Sequence, residues 1–77
     1  MATAYILIQT DVGKAQQVAQ NVRSIAGVEE ADNVTGPYDV IVKVQAPNMD
    51  ALGRLVVSEI QMLQGITRTL TCPAVRL

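Results

Sequence analysis

A chain of 77 residues with 49 % apolar side chains and a net charge of −1 is the size of one domain, 1–77, whose own core hides only about 60 % of the surface exposed on unfolding. Its single cysteine, Cys72, and its lack of histidine exclude an intramolecular disulfide and a Cys/His metal cluster, which leaves association between copies as the route to added stability. The six basic residues, Lys14, Arg23, Lys43, Arg54, Arg68 and Arg76, are scattered, and without a basic stripe direct nucleic-acid binding is not expected.

No apolar run approaches the roughly 20 residues of a membrane span, and the N-terminus lacks the basic segment of a signal peptide, so a cytoplasmic location is expected. Tyr5 and Tyr38 are the only aromatic residues. The aliphatic surface exceeds what one small core can hide, and the excess reads as interface.

Ala4 to Gln9 carries the apolar run Tyr5-Ile6-Leu7-Ile8 and predicts a first, central strand. Asp11 is placed to cap a helix in which Ala15, Val18, Val22 and Ile25 form the apolar stripe, with Gln16, Gln17, Gln20 and Arg23 on the wet face. Gly27 ends it in the left-handed conformation. Val28 to Thr35 predicts a weaker second strand, and its Glu29, Glu30 and Asp32 suit a sheet edge, where charge discourages stray pairing.

The Gly36-Pro37 turn comes next, followed by Tyr38-Asp39 and a strand with Val40, Val42 and Val44 on one face and Ile41 and Lys43 on the other. The turn holds a phenol and a carboxylate on the rim of a sheet, as a binding module would, although a plain hairpin needs the same glycine and proline. Pro47 closes the strand, Asn48 caps, and a second helix is expected from about Met49 to Leu63, stopped at Gly65. Met49, Leu52, Val56 and Leu63 face the core in this reading, whereas Val57 and Ile60 extend around the helix, either toward a second subunit contact or into a helix well buried in its own subunit.

The last strand, Ile66 to about Cys72, places Ile66, Leu70 and Cys72 on one face and Thr67, Thr69 and Thr71 on the other, with Pro73 at its end or at an edge. The order is βαββαβ. It predicts an α+β, ferredoxin-like fold, a four-stranded antiparallel sheet with two helices on one face. The other face, with Tyr5, Leu7, Ile41 and the last strand's threonines, has no cover from this chain, and a partner sheet would supply one.

Chemistry of the catalytic kind is not supported. Ser24 and Ser58 have no histidine to activate them, Cys72 beside Pro73 reads as a small hydrophobe, and the glycines form no phosphate-cradling loop. Asp32, Asp39 and Asp50 each have an ordinary structural use in an edge, a turn or a helix N-terminus.

Three segments together, Gly27-Val28, Thr35-Gly36-Pro37-Tyr38-Asp39-Val40-Ile41-Val42-Lys43-Val44 and Leu63-Gln64-Gly65-Ile66-Thr67-Arg68-Thr69, resemble the effector-binding (RAM) domain of the Lrp/AsnC, or feast/famine, transcription regulators over nearly the whole chain. The resemblance implies a ferredoxin-like fold that dimerises through its sheets, assembles into higher oligomers such as octamers, and binds free amino acids at contacts between dimers. Regulators of the family carry a helix-turn-helix ahead of this domain, whereas here the first strand begins within five residues of Met1. The expectation is a non-enzymatic, stand-alone amino-acid-sensing module that acts on amino-acid metabolism by associating with itself and with full-length regulators, without cofactor or metal. Matching positions make Gly36, Tyr38, Asp39, Thr67 and Thr69 the expected ligand contacts. Glycine allows close approach to backbone groups, and a carboxylate with hydroxyls suits the two ends of a zwitterion. The alternatives are a small dimeric ferredoxin-like enzyme resembling antibiotic-biosynthesis monooxygenases, whose cavity histidine or large aromatics are missing here, and a ligand-free structural adaptor.

Overall fold

In the computed structural model, which describes residues 1–75, the chain forms β1 (Ala2–Thr10), α1 (Ala15–Arg23), β2 (Val28–Asn33), β3 (Val40–Ala46), α2 (Met49–Leu55) continued by a π-helical turn (Val56–Ile60), and β4 (Ile66–Pro73). Arg76, one of the scattered basic residues, lies outside the described residues. The strands form one antiparallel sheet in the order β2-β3-β1-β4. As predicted, β1 is central, the carboxylate-bearing β2 is an edge, and Pro73 ends the strand on the other edge.

Alternation decides where the core sits. Ala4, Ile6 and Ile8 of β1 and Val40, Val42 and Val44 of β3 are fully buried, and Val18, Ala19 and Val22 of α1 and Leu52, Val56 and Ile60 of the second helical segment close over them. The β-branched residues suit the pleat, and each large aliphatic side chain withdrawn from water contributes about 1.5–3 kcal/mol. Both helices therefore lie on one face, the ferredoxin-like α+β arrangement.

Four local expectations are corrected. Asp11 does not cap α1 with its side chain. Gly13 turns the chain, Lys14 takes the cap position without a side-chain bond, and Asp11 instead donates its N–H to the Gly65 carbonyl at 2.8 Å while its carbonyl accepts from Lys14 N–H at 3.0 Å. The second strand stops at Asn33 rather than Thr35. Arg23 is not simply wet: its Nε and Nη2 both donate to the Ala31 carbonyl, at 3.0 and 2.6 Å, covering a carbonyl of the edge strand.

The fourth correction concerns the second helix. Asn48 caps it as expected, its Oδ1 accepting from Ala51 N–H at 2.8 Å, but the α-helix ends at Leu55 and a π turn follows, with Gln61 N–H donating to the Val56 carbonyl at 2.9 Å. A wider turn advances each side chain by a smaller angle. Four-residue spacing already puts Leu52, Val56 and Ile60 on one side of the helix, and the widened turn keeps Ile60 there at 0 % exposure, whereas Val57 faces outward at 59 % and Met49, expected inside, is 54 % exposed.

Gly27 shows why the helix-to-strand junction needs glycine. Its φ is +97°, and a Cβ there would lie 3.0 Å from both the Gln45 carbonyl oxygen and Leu55 Cδ2. Gly27→Ala is expected to lower stability by about 1–3 kcal/mol, the cost of a strained backbone conformation. An unchanged midpoint in chemical denaturation would contradict the close approach.

Candidate ligand site

The end of β1 gathers the residues singled out in the sequence. Ile8 lies opposite Val40 of β3 on one side and Thr69 of β4 on the other, so the Gly36–Asp39 turn and the start of β4 flank one strand end, roughly 10 Å apart at two strand spacings. Asp39 is the junction of this rim. Its N–H donates to the Ile8 carbonyl at 2.8 Å, its carbonyl accepts from Val34 N–H at 2.9 Å, and its Oδ2 accepts from Thr10 N–H at 2.8 Å and from Thr10 Oγ1 at 3.2 Å.

The carboxylate extends the β1–β3 ladder one step beyond Val40, taking the place of a backbone acceptor. Both donors are neutral, and among the described residues the recorded ion pair is Lys43 with Glu29 at 3.8 Å, so the charge of Asp39 is left without a basic partner. Gln9 Nε2 donates to the Pro37 carbonyl at 2.8 Å and holds the other side of the turn. Gly36 has a φ of +119° and open space where a Cβ would stand. It is needed for the backbone conformation, and a side chain there would project into free solvent. Tyr38 is half-buried beside it.

On the other flank the expected threonine face does not form as predicted. The register of β4 on β1 shifts between Gln9, opposite Arg68, and Thr10, opposite Ile66, so Thr67 is the extra residue of a bulge. The bulge puts Ile66 against the core, while Leu70 and Cys72 turn to the open face opposite Leu7 and Tyr5. Thr69 and Thr71, opposite Ile8 and Ile6, lie on the helix side instead. Thr69 Oγ1 accepts from Gln61 Nε2 at 3.1 Å. Sequence reasoning missed Gln61 and Thr10. The Asp39–Thr10 contact spans 29 positions, and Gln61 reaches β4 from the cap of the π turn.

The rim thus offers one carboxylate, several hydroxyls and a side-chain amide, a set suited to an ammonium group and a polar neighbour. Three surface grooves of about 480, 350 and 310 Å³ are lined by other residues, and on the rim Gly36, Pro37 and Thr67 are exposed. Among the described residues no helix is long and apolar enough to cross a membrane, and no three His, Cys, Asp or Glu side chains are grouped to hold a metal.

A ferredoxin-like sheet that presents polar groups on a strand-end rim, with one face bare, is the architecture of a small effector-binding module. The family model of the Lrp/AsnC ligand binding domain matches residues 3–76, and the chain belongs to that family. An uncharacterised HTH-type transcriptional regulator of Pyrococcus abyssi is 35 % identical over 72 residues, which are 90 % of this chain and 48 % of that protein. The chain spans about half the length of the first curated relatives it matches, and these carry the name of transcriptional regulators. Hypothetical protein PHS023 of Pyrococcus horikoshii superposes with a TM-score of 0.92 at 34 % identity, covering 100 % of this chain and 93 % of that one. The transcriptional regulator NMB0573 of Neisseria meningitidis, solved as a complex with L-Met, shares the fold with a TM-score of 0.85 at 18 % identity over 97 % of this chain and 50 % of that one.

Proposed function

We propose that the chain is a non-enzymatic, oligomeric amino-acid-binding module of the cytoplasm, which regulates amino-acid metabolism by associating with itself and with full-length Lrp/AsnC-type regulators. The observation that carries this reading is the carboxylate of Asp39, fixed on the rim by neutral donors and, among the described residues, without a basic partner. In it Asp39 receives the ammonium of a free amino acid, Tyr38 and the exposed backbone at Gly36 border the ligand, and the hydroxyls of Thr67 and Thr69 contribute from the β4 flank. An open rim in one subunit suits a ligand held between subunits, where a neighbour supplies the missing wall. The L-Met complex of a regulator with this fold is consistent with that choice of ligand.

Assembly follows from the uncovered sheet face, on which Tyr5 is 43 % and Leu70 45 % exposed. Dimers form through this face, and Val57 on the second helical segment and Met62 in the turn after it, both exposed, provide a further contact for rings such as octamers.

A thermal-shift screen against the twenty amino acids is the direct test, because a ligand that binds only the folded state raises the midpoint by mass action. At least one amino acid should do so, and no response would favour the ligand-free adaptor. Asp39→Ala should weaken the responding ligand by about one to two powers of ten, the worth of a charge-assisted hydrogen bond of roughly 1.5–3 kcal/mol. The same substitution removes the latch to Thr10 and should lower the unliganded midpoint as well. Calorimetric affinity is therefore the deciding readout, and undiminished affinity would remove Asp39 from the site.

A further inference from the structure

The groove of about 480 Å³ between α1 and the second helical segment has no part in the strand-end rim, and its chemistry differs. Ile25, Leu55 and Leu63, all half-buried, make its apolar walls. Asn21 and Ser24, at the last turn of α1, and Glu59, on the π turn, make its polar border. Among the described residues no basic side chain lines it.

Its volume falls in the range that small ligands fill. The one charged side chain on its border is acidic: Glu59 brings a carboxylate, while Arg23, in the last turn of α1, is turned away to the Ala31 carbonyl. The floor is also fixed, since Leu55 lies directly against Gly27, where a Cβ would stand only 3.0 Å from Leu55 Cδ2. Finally, Glu59 belongs to a π turn, a conformation that is rare and concentrated at functional positions. The turn draws its neighbour Ile60 into the core and leaves Glu59 at the border of the groove.

We infer that this groove is a second binding site, for a small molecule that carries an ammonium group on an aliphatic chain. The chain lies along Ile25, Leu55 and Leu63, and the ammonium meets Glu59 beside the carbonyl end of α1. None of these residues belongs to the rim around Asp39, so the inference is independent of the amino-acid reading.

The probes are n-butylammonium, 1-butanol and butyrate, which share an apolar chain and differ in the charge of the head. Titrations followed by methyl NMR should give saturable shifts of Leu55 and Leu63 with n-butylammonium, an at least tenfold weaker response to 1-butanol, and none with butyrate. Glu59→Gln, at an exposed position, should reduce n-butylammonium to the 1-butanol level, and Ala26→Leu, at a residue that also lines the groove, should block all three by filling it. Asp39→Ala should leave these titrations unchanged, which separates this site from the rim. Equal responses to the three probes, no saturable shift, or an n-butylammonium affinity undiminished in Glu59→Gln would each overturn the inference.

Discussion

Ile60→Glu is expected to unfold the protein outright, and this is the largest effect of any single substitution considered. Read from the sequence alone, Ile60 extends around its helix either toward a subunit contact, where a carboxylate would only loosen an assembly, or into a helix well buried in its own subunit. The structure has the second: Ile60, four residues beyond Val56, stands in line with Leu52 and Val56 at 0 % exposure. The substitution loses about 1.5–3 kcal/mol of apolar burial and leaves an unpaired carboxylate in the core at a further cost of several kcal/mol. A domain whose whole stability is about 5–15 kcal/mol has little left after that. Circular dichroism should show loss of cooperative melting. Ile60→Val should cost only about 0.5–1.5 kcal/mol, and Val57→Glu, on the outward face, should leave the fold intact. A natively folded Ile60→Glu protein would mean that Ile60 does not stand in the core.

The difference between these two neighbours marks where the sequence stops being legible. The burial of β1 and β3 could be read because each strand hides one face, and a period of two survives in Ala4-Ile6-Ile8 and Val40-Val42-Val44. The positive φ at Gly27 and Gly65 could be read because a helix running into a strand needs a left-handed residue at the junction. The π turn leaves no such mark in composition. The β4 bulge is equally silent: one extra residue at Thr67 exchanges the two faces, so Leu70 and Cys72, rather than the threonines, complete the bare side of the sheet. In the candidate site, the turn that carries Asp39 was visible as a motif. Its latch to Thr10 and the reach of Gln61 to Thr69 were not, because both are contacts made by tertiary geometry.

Leu70→Glu is expected to convert the assembled protein into folded monomers. Across the bare face the register aligns Asp32, Ile41, Leu7 and Leu70 in one row and Glu30, Lys43, Tyr5 and Cys72 in the next, with Gln9 and Arg68 following on β1 and β4. Directly paired residues of an antiparallel sheet point to the same side. The face therefore has an apolar middle of Ile41, Leu7 and Leu70, two carboxylates on the β2 edge and a guanidinium on the β4 edge. Two such faces related by a two-fold axis can bring the acidic edge of each against Arg68 of the other, so shape and charge are self-complementary. Leu70 is already 45 % exposed in the single chain, and glutamate there costs the subunit little. In the dimer each copy contributes one buried, unpaired carboxylate, so a cost of several kcal/mol is counted twice and the dissociation constant should rise by at least about three powers of ten. Light scattering at micromolar concentration should give a dimer or larger assembly for the parent and a monomer with a cooperative melt for the variant. Arg68→Glu should weaken assembly less, in proportion to its place on the rim, and Asp32→Arg introduced with it should recover part of the loss. An assembled Leu70→Glu protein, or a parent that scatters as a folded monomer, would show that the bare face is not where the copies meet.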